Sequence, residues 1–130
     1  MASALKKLEQ HAQRKQRLVD YLSRVVPGVT DIQYKDLGPA ETVEFRQQVL
    51  GAKDSWRFLA QNMSDGTIRA LGILLALLQT GNGVPIPLVG IEEPEAALHP
   101  AAAAVLLDCM RDAATRMQVL VTSHSGDLLD

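Results

Sequence analysis

Three carboxylates stand together in this chain: Glu92, Glu93 and Glu95, directly after the apolar run Pro87-Leu88-Val89-Gly90-Ile91. Carboxylates at the end of an apolar strand suit a hard cation such as Mg²⁺, which takes oxygen ligands and keeps several waters. An adjacent carboxylate can orient or deprotonate a water. Two neighbouring acids suit an ordinary polar strand end entering a surface loop equally well. A second group, Thr122-Ser123-His124-Ser125, closes the apolar run Gln118-Val119-Leu120-Val121. A histidine there can donate a hydrogen bond to an anionic oxygen, or serve only as a structural or solvated side chain. The third group, Ser64-Asp65-Gly66-Thr67, opens a long apolar segment. Ser64 is expected as a helix N-cap. Free amides, a hydroxyl and the positive helix end together make an anion site, and a glycine lets a phosphate approach the backbone. A plain capped helix has the same residues.

The elements that must position these groups follow from periodicity and punctuation. Residues 3–26 read as one helix, with Leu5, Leu8, Ala12, Val19, Leu22 and Val26 at helical spacing and Pro27-Gly28 as its stop. Extended segments are expected at 31–36, 41–50 and 56–59, with Gly38-Pro39 turning between the first two. Segment 67–78 is apolar on most sides and should be a buried helix ended by Gly81-Asn82-Gly83. Residues 87–91 and 118–122 lack alternation, as parallel strands covered on both faces do. Between them, 100–115 is an Ala-rich helix, and 126–130 reads as the start of another. Strand, helix, strand with apolar strands gives an α/β layer with a right-handed crossover. Both polar strand ends then lie on one rim, where open α/β sheets bind ligands.

The order of the three groups, with 28 residues from Ser64 to Glu92 and 31 from Glu93 to His124, resembles the C-terminal half of an ABC-type ATPase head. The nearest variant is the AAA-like branch shared by OLD, RecF and SMC proteins. Residues 63–71 resemble the signature motif, 87–93 the Walker B strand, 94–100 the D-loop, and 118–125 the last core strand with its switch histidine. The resemblance is tight over residues 60–130, and 1–59 fit it loosely as a helix and strands placed before the signature segment. It implies a partial P-loop NTPase sheet with parallel core strands, preceded by an N-terminal helix and short antiparallel strands. It further implies that Glu92 holds Mg²⁺ through water, that Glu93 polarises the attacking water, and that His124 senses the γ-phosphate of ATP. Ser64, Asp65, Gly66 and Thr67 would reach a nucleotide held by a second head, with Ala97, Leu98 and His99 on the dimer seam. The family more often has Asp at the position of Glu92.

A phosphate-gripping P-loop needs G-x-x-x-x-G-K-[ST]. The glycines stand at 28, 38, 51, 66, 72, 81, 83, 90 and 126, and none begins that pattern. The chain is therefore expected to be the second half of a larger head, binding ATP weakly or not at all by itself. A degenerate, non-catalytic binding module is the competing expectation.

Composition sets the outer limits. The chain has 130 residues, 47% of them hydrophobic and 22% charged, enough for one core and too apolar for disorder. A net charge of -2 argues against a strongly basic nucleic-acid binder. Lys6, Lys7, Arg14, Lys15 and Arg17 cluster against Glu9 alone, which suits a solvated helix face and leaves a contact with DNA phosphate as the lesser reading. A single cysteine, Cys109, precludes an internal disulfide or a Cys-rich zinc site and suits a reduced, cytoplasmic protein. The apolar runs are far short of the roughly 20 residues of a membrane span. Trp56 and Phe58 are expected to pack, with adenine contact as the minor alternative.

Overall fold

The apolar residues of the first 26 positions do not share one helix. A computed structural model describes residues 1–79 and 84–126, and splits this segment into α1 (Ala2–Leu8) and α2 (Ala12–Val25). At the break, the Glu9 carboxylate accepts the backbone N–H of Tyr34 at 2.9 Å. That satisfies a donor on the outer edge of a strand, which a continuous helix would have left open. The break also changes the buried stripe. Leu5 and Leu8 of α1 and Leu18, Leu22 and Val25 of α2 enter the core, whereas Ala12 is exposed and Val19 and Val26 are half-buried.

Strands β1 (Val29–Asp36), β2 (Glu41–Gln47) and β3 (Trp56–Leu59) form an antiparallel sheet in that order. Phe45 pairs with Ile32 on one side and Phe58 on the other, and Val43 with Tyr34. Ile32, Val43 and Phe45 are fully buried beneath α1 and α2, each such apolar side chain worth about 1.5–3 kcal/mol. The second expected strand ends three residues early, at Gln47 rather than 50.

A short 3-10 turn, Ala60–Asn62, leads into α3 (Asp65–Leu78). Ser64 caps α3 as expected, accepting the Thr67 amide at 3.2 Å. Nine of the 14 residues of α3 are buried, so the apolar sequence does mark a central helix. It packs against α2 and α4 (Pro100–Ala113). The expected stop at 81–83 lies outside the described residues, as does nearly all of the expected last helix.

Strands β4 (Leu88–Glu92) and β5 (Gln118–Thr122) pair in parallel through the α4 crossover. Here one expectation fails. Val89 and Ile91 are buried against the helices, but Leu88 is 53% exposed and Leu120 62%. Only one face of this sheet is covered; the continuous apolar run reflects a second face that the described residues leave open.

Charge asymmetry along the sequence is used inside the fold. Arg17 reaches Asp112 at 2.7 Å and Arg24 reaches Asp108 at 3.4 Å, joining basic α2 to acidic α4. Lys15 pairs with Asp31 at 3.3 Å, and Lys6 lies 4.5 Å above the Tyr34 ring. Exposed pairs of this kind contribute little energy, but they favour the solvated-face reading of the basic end over a phosphate-binding one.

Candidate functional site

Parallel pairing of Glu92 with Thr122 brings the two polar strand ends to one rim. Glu93 continues past β4, its N–H donating to the Thr122 carbonyl at 2.7 Å. Its φ is +44°, a left-handed conformation that costs a non-glycine residue about 1–3 kcal/mol. The carboxylate then meets His124, with Oε1 3.3 Å from Nε2. His124 is 91% exposed, so water screens this contact and it adds little stability. The Glu92 carboxylate has no hydrogen bond or ion pair among the described residues.

A second clamp holds the turn in place. Ser123 Oγ donates to Glu95 Oε1 at 2.5 Å and accepts the Ser125 amide at 3.0 Å. The Ser123 hydroxyl, against the opposing effect of burial, holds the Glu95 carboxyl below the usual carboxylate range, with help from the amides of Glu95, His124 and Ser125. Glu95 therefore fastens the segment after β4 to the end of β5. The other oxygen, Oε2, is buried without a partner among the described residues.

The first turns of α3 are built onto the same segment. Gly66 is buried, and a Cβ there would run into the carbonyl oxygen of Ala97. Ala97 itself has φ +62°. Arg69 donates through one guanidinium nitrogen to the carbonyls of Glu92, at 2.6 Å, and Glu93, at 2.9 Å. Ser64 and Asp65 are exposed at the helix end, while Thr67 is buried and its hydroxyl lies 2.9 Å from that of Ser64. Asp65 already supplies a negative charge to the helix dipole, which makes this end a weaker anion site than an uncharged one.

All three sequence groups thus converge on one segment, 92–99. Leu98 is half-buried, and His99 caps α4 with Nδ1 accepting the Ala101 amide at 3.3 Å. Two contacts escaped the sequence reading. Arg69 sits inside the quoted signature segment with no role assigned, and Glu95 with Ser123 looked like two unrelated polar residues. A cation at the fifth position of a capped helix was the available signal for the first. Nothing local could have revealed the second, since 28 residues separate its members.

Cys109 is fully buried in α4, as expected of a core residue, but Trp56 is 57% exposed and its packing is limited to a stacked contact with Phe58, ring centroids 6.2 Å apart.

The fold that brings a capped helix, an acidic parallel-strand rim and a histidine just past the next strand together is that of an AAA/ABC-type ATPase head-like domain. The chain belongs to the family described as "AAA domain, putative AbiEii toxin, Type IV TA system", whose model matches residues 7–130. No curated protein matches the sequence. Solved SMC heads share its fold. A chain from a study of ATP-driven dimerisation and DNA-stimulated activation of SMC ATPases superposes with a TM-score of 0.67 at 12% identity, covering 97% of this chain and 76% of that one. An SMC head bound to the C-winged helix domain of ScpA gives 0.67 at 15%, covering 93% and 37%. One from Pyrococcus furiosus, with an extended coiled coil and the C-terminal domain of ScpA, gives 0.68 at 12%, covering 93% and 30%. This chain therefore spans only about a third of the latter two. At such identities the likeness is one of fold.

Proposed function

We propose that this chain is the part of an ATP-hydrolysing head that carries the signature helix, the acidic strand end and the switch histidine, residues 1–130 acting as one partial domain. The observation that carries this reading is the 3.3 Å approach of Glu93 to His124 on the rim formed by β4 and β5. An acid that orients water beside a group that can donate to a phosphate oxygen is what phosphoryl transfer to water requires, since catalysis there is mostly positioning and charge neutralisation.

The residues fit Mg²⁺ with ATP as an assembly rather than as a closed cage. No group of three or more His, Cys, Asp or Glu among the described residues could hold a metal by itself. Mg²⁺ needs only one or two carboxylates when phosphates and water complete its shell, and the unengaged Glu92 offers one. The ion supplies charge neutralisation at the phosphates when bound. Glu93 orients the water and takes its proton; His124 donates toward the terminal phosphate. Ser64 with the amides of Asp65 and Gly66 would face a nucleotide on a second head, with Ala97, Leu98 and His99 along the seam. The SMC ATPases that share the fold are described as dimerising with ATP, which supports a head pair here.

No stretch of the 130 residues reads G-x-x-x-x-G-K-[ST]; in this reading the main nucleotide grip would come from another half. Further strands would join at the free edges of β4 and β5, and a helix would cover their open face. The same observation supports a second reading, a binding module that has lost nucleotide turnover. Work on DNA repair, phage defence or chromosome maintenance suits the first reading, by analogy with the families it resembles.

Mixing the chain with a half that carries the P-loop separates the two readings. Hydrolysis of Mg-ATP that falls by about 10²–10⁴ in Glu93→Gln is expected for a general base. Unchanged turnover in that variant removes Glu93 from the role. An absence of any Mg-ATP-dependent shift in melting temperature or dimerisation establishes the non-catalytic module.

A further inference from the structure

Glu93 occupies a backbone conformation that non-glycine residues adopt only when their surroundings hold them there. Four contacts hold it. Its N–H is taken by Thr122, its carboxylate by His124, and its carbonyl, together with that of Glu92, by Arg69, while the same Glu93 carbonyl also accepts the Ala96 N–H at 3.0 Å in a local turn that constrains the residues after Glu93 rather than its own φ. The first contact is an extension of the strand pairing and would survive in an ordinary extended residue. The second is with a 91% exposed side chain and is too weakly held to impose a backbone turn. The third differs. Two successive carbonyl oxygens accept from one nitrogen, at 2.6 and 2.9 Å, which an extended Glu93 would not allow and which a coiled Glu93 backbone, as seen here, does. Charge-assisted hydrogen bonds are the stronger kind.

We propose that Arg69 is the positioning residue for Glu93: its guanidinium holds the Glu92 and Glu93 carbonyls, fixes Glu93 in its left-handed conformation, and so ties the start of α3 to the acid that faces His124. The consequence rests on the proposed function. In a head pair, the start of α3 serves the partner's nucleotide, whereas Glu93 serves the head's own. Arg69, one turn from Ser64, then links the two sites through a single side chain. Gly66 against Ala97 provides the second point of contact, so the start of α3 cannot move without pressing on the turn.

The link can be tested on the 130-residue chain without nucleotide, so it can fail while the ATPase reading stands, and the reverse. Arg69→Met keeps the stem and removes every donor. Arg69→Lys restores one nitrogen, which suffices because both bonds come from one atom. Carbon chemical shifts and the HN–Hα coupling of Glu93 report its φ. The left-handed signature should be present in the parent chain, lost in Arg69→Met and largely kept in Arg69→Lys, with resonances of β1 and β2 unchanged. Retention in Arg69→Met, or loss in both variants, overturns the proposal. If Arg69→Met does not fold, the unaltered chain decides. Guanidinium proton exchange at Arg69 should be about fivefold slower than at Arg111, which has no hydrogen bond or ion pair among the described residues. Equal exchange at the two overturns the proposal.

Discussion

A methyl group added at Gly66 has no room, whereas one added at Gly72 has. The obstacle at Gly66 is the backbone oxygen of Ala97, a residue already in a left-handed conformation and poorly able to give way. Gly66→Ala should therefore lower stability by about 1–3 kcal/mol, the usual cost of overpacking. Nothing lies within 4 Å of a Cβ at Gly72, so Gly72→Ala should raise stability by about 0.5–1 kcal/mol through helix propensity alone. Urea unfolding of the two variants gives opposite signs if this is right. Cys109 offers a different residue-scale test. Burial first, and the nearby Asp112 charge second, push its thiol up to about 11. The folded state then holds its proton more tightly than the unfolded one. That contribution is complete below the unfolded value of about 8.5 and is lost as pH rises toward 11. At pH 8 iodoacetamide should label Cys109 only as fast as the chain opens, so mild urea should accelerate labelling; rapid labelling of the native chain would contradict a buried thiol.

Between elements, the bond from Ser123 to Glu95 ties the segment after β4 to the end of β5. A carboxyl held below its usual range contributes stability that is complete above the unfolded value of about 4.3 and fades as pH falls through the lower folded value. Ser123→Ala should cost about 1 kcal/mol at pH 7, and the gap to the parent should narrow as pH falls through the lowered folded value of Glu95. A gap that persists in acid would mean that packing, not the charged bond, is at stake. The elements themselves were legible to different degrees, for physical reasons. Helix α3 and strands β3 and β5 carry local signals, a cap with an apolar run or a β-rich segment between turns, and their positions follow from them. The break between α1 and α2 does not. Glu9 leaves the helix to meet Tyr34, 25 residues away, and no local pattern records that meeting. The site divides in the same way. Ser64, Glu92, Glu93 and His124 stand out as candidates because polar residues at strand ends and helix caps are placed where open α/β sheets bind ligands. Arg69 and the Glu95–Ser123 pair matter only once α3 and β5 have been brought to the same turn.

For the molecule as a whole, the decisive feature is a sheet that is unfinished on one side. Register places Leu88 and Gly90 of β4 and Gln118 and Leu120 of β5 on the same face. That face carries two half-exposed leucines and no covering element among the described residues, and β4 and β5 form the whole of their sheet there. Open strand edges beside exposed apolar surface invite pairing with another chain. In the proposed head, the strands and helix of the P-loop half would take that place. In their absence a second copy of the chain is the available partner. The 130-residue chain should therefore self-associate with rising concentration, and Leu88→Lys with Leu120→Lys should shift sedimentation toward the monomer. Both side chains already face water, so the double variant should unfold within about 0.5 kcal/mol of the parent. Capture of the P-loop half should be lost in the same variant, because one face serves both encounters. A variant that stays monomeric yet still assembles with that half would place the junction elsewhere, and would leave the exposed leucines without the role that the fold gives them.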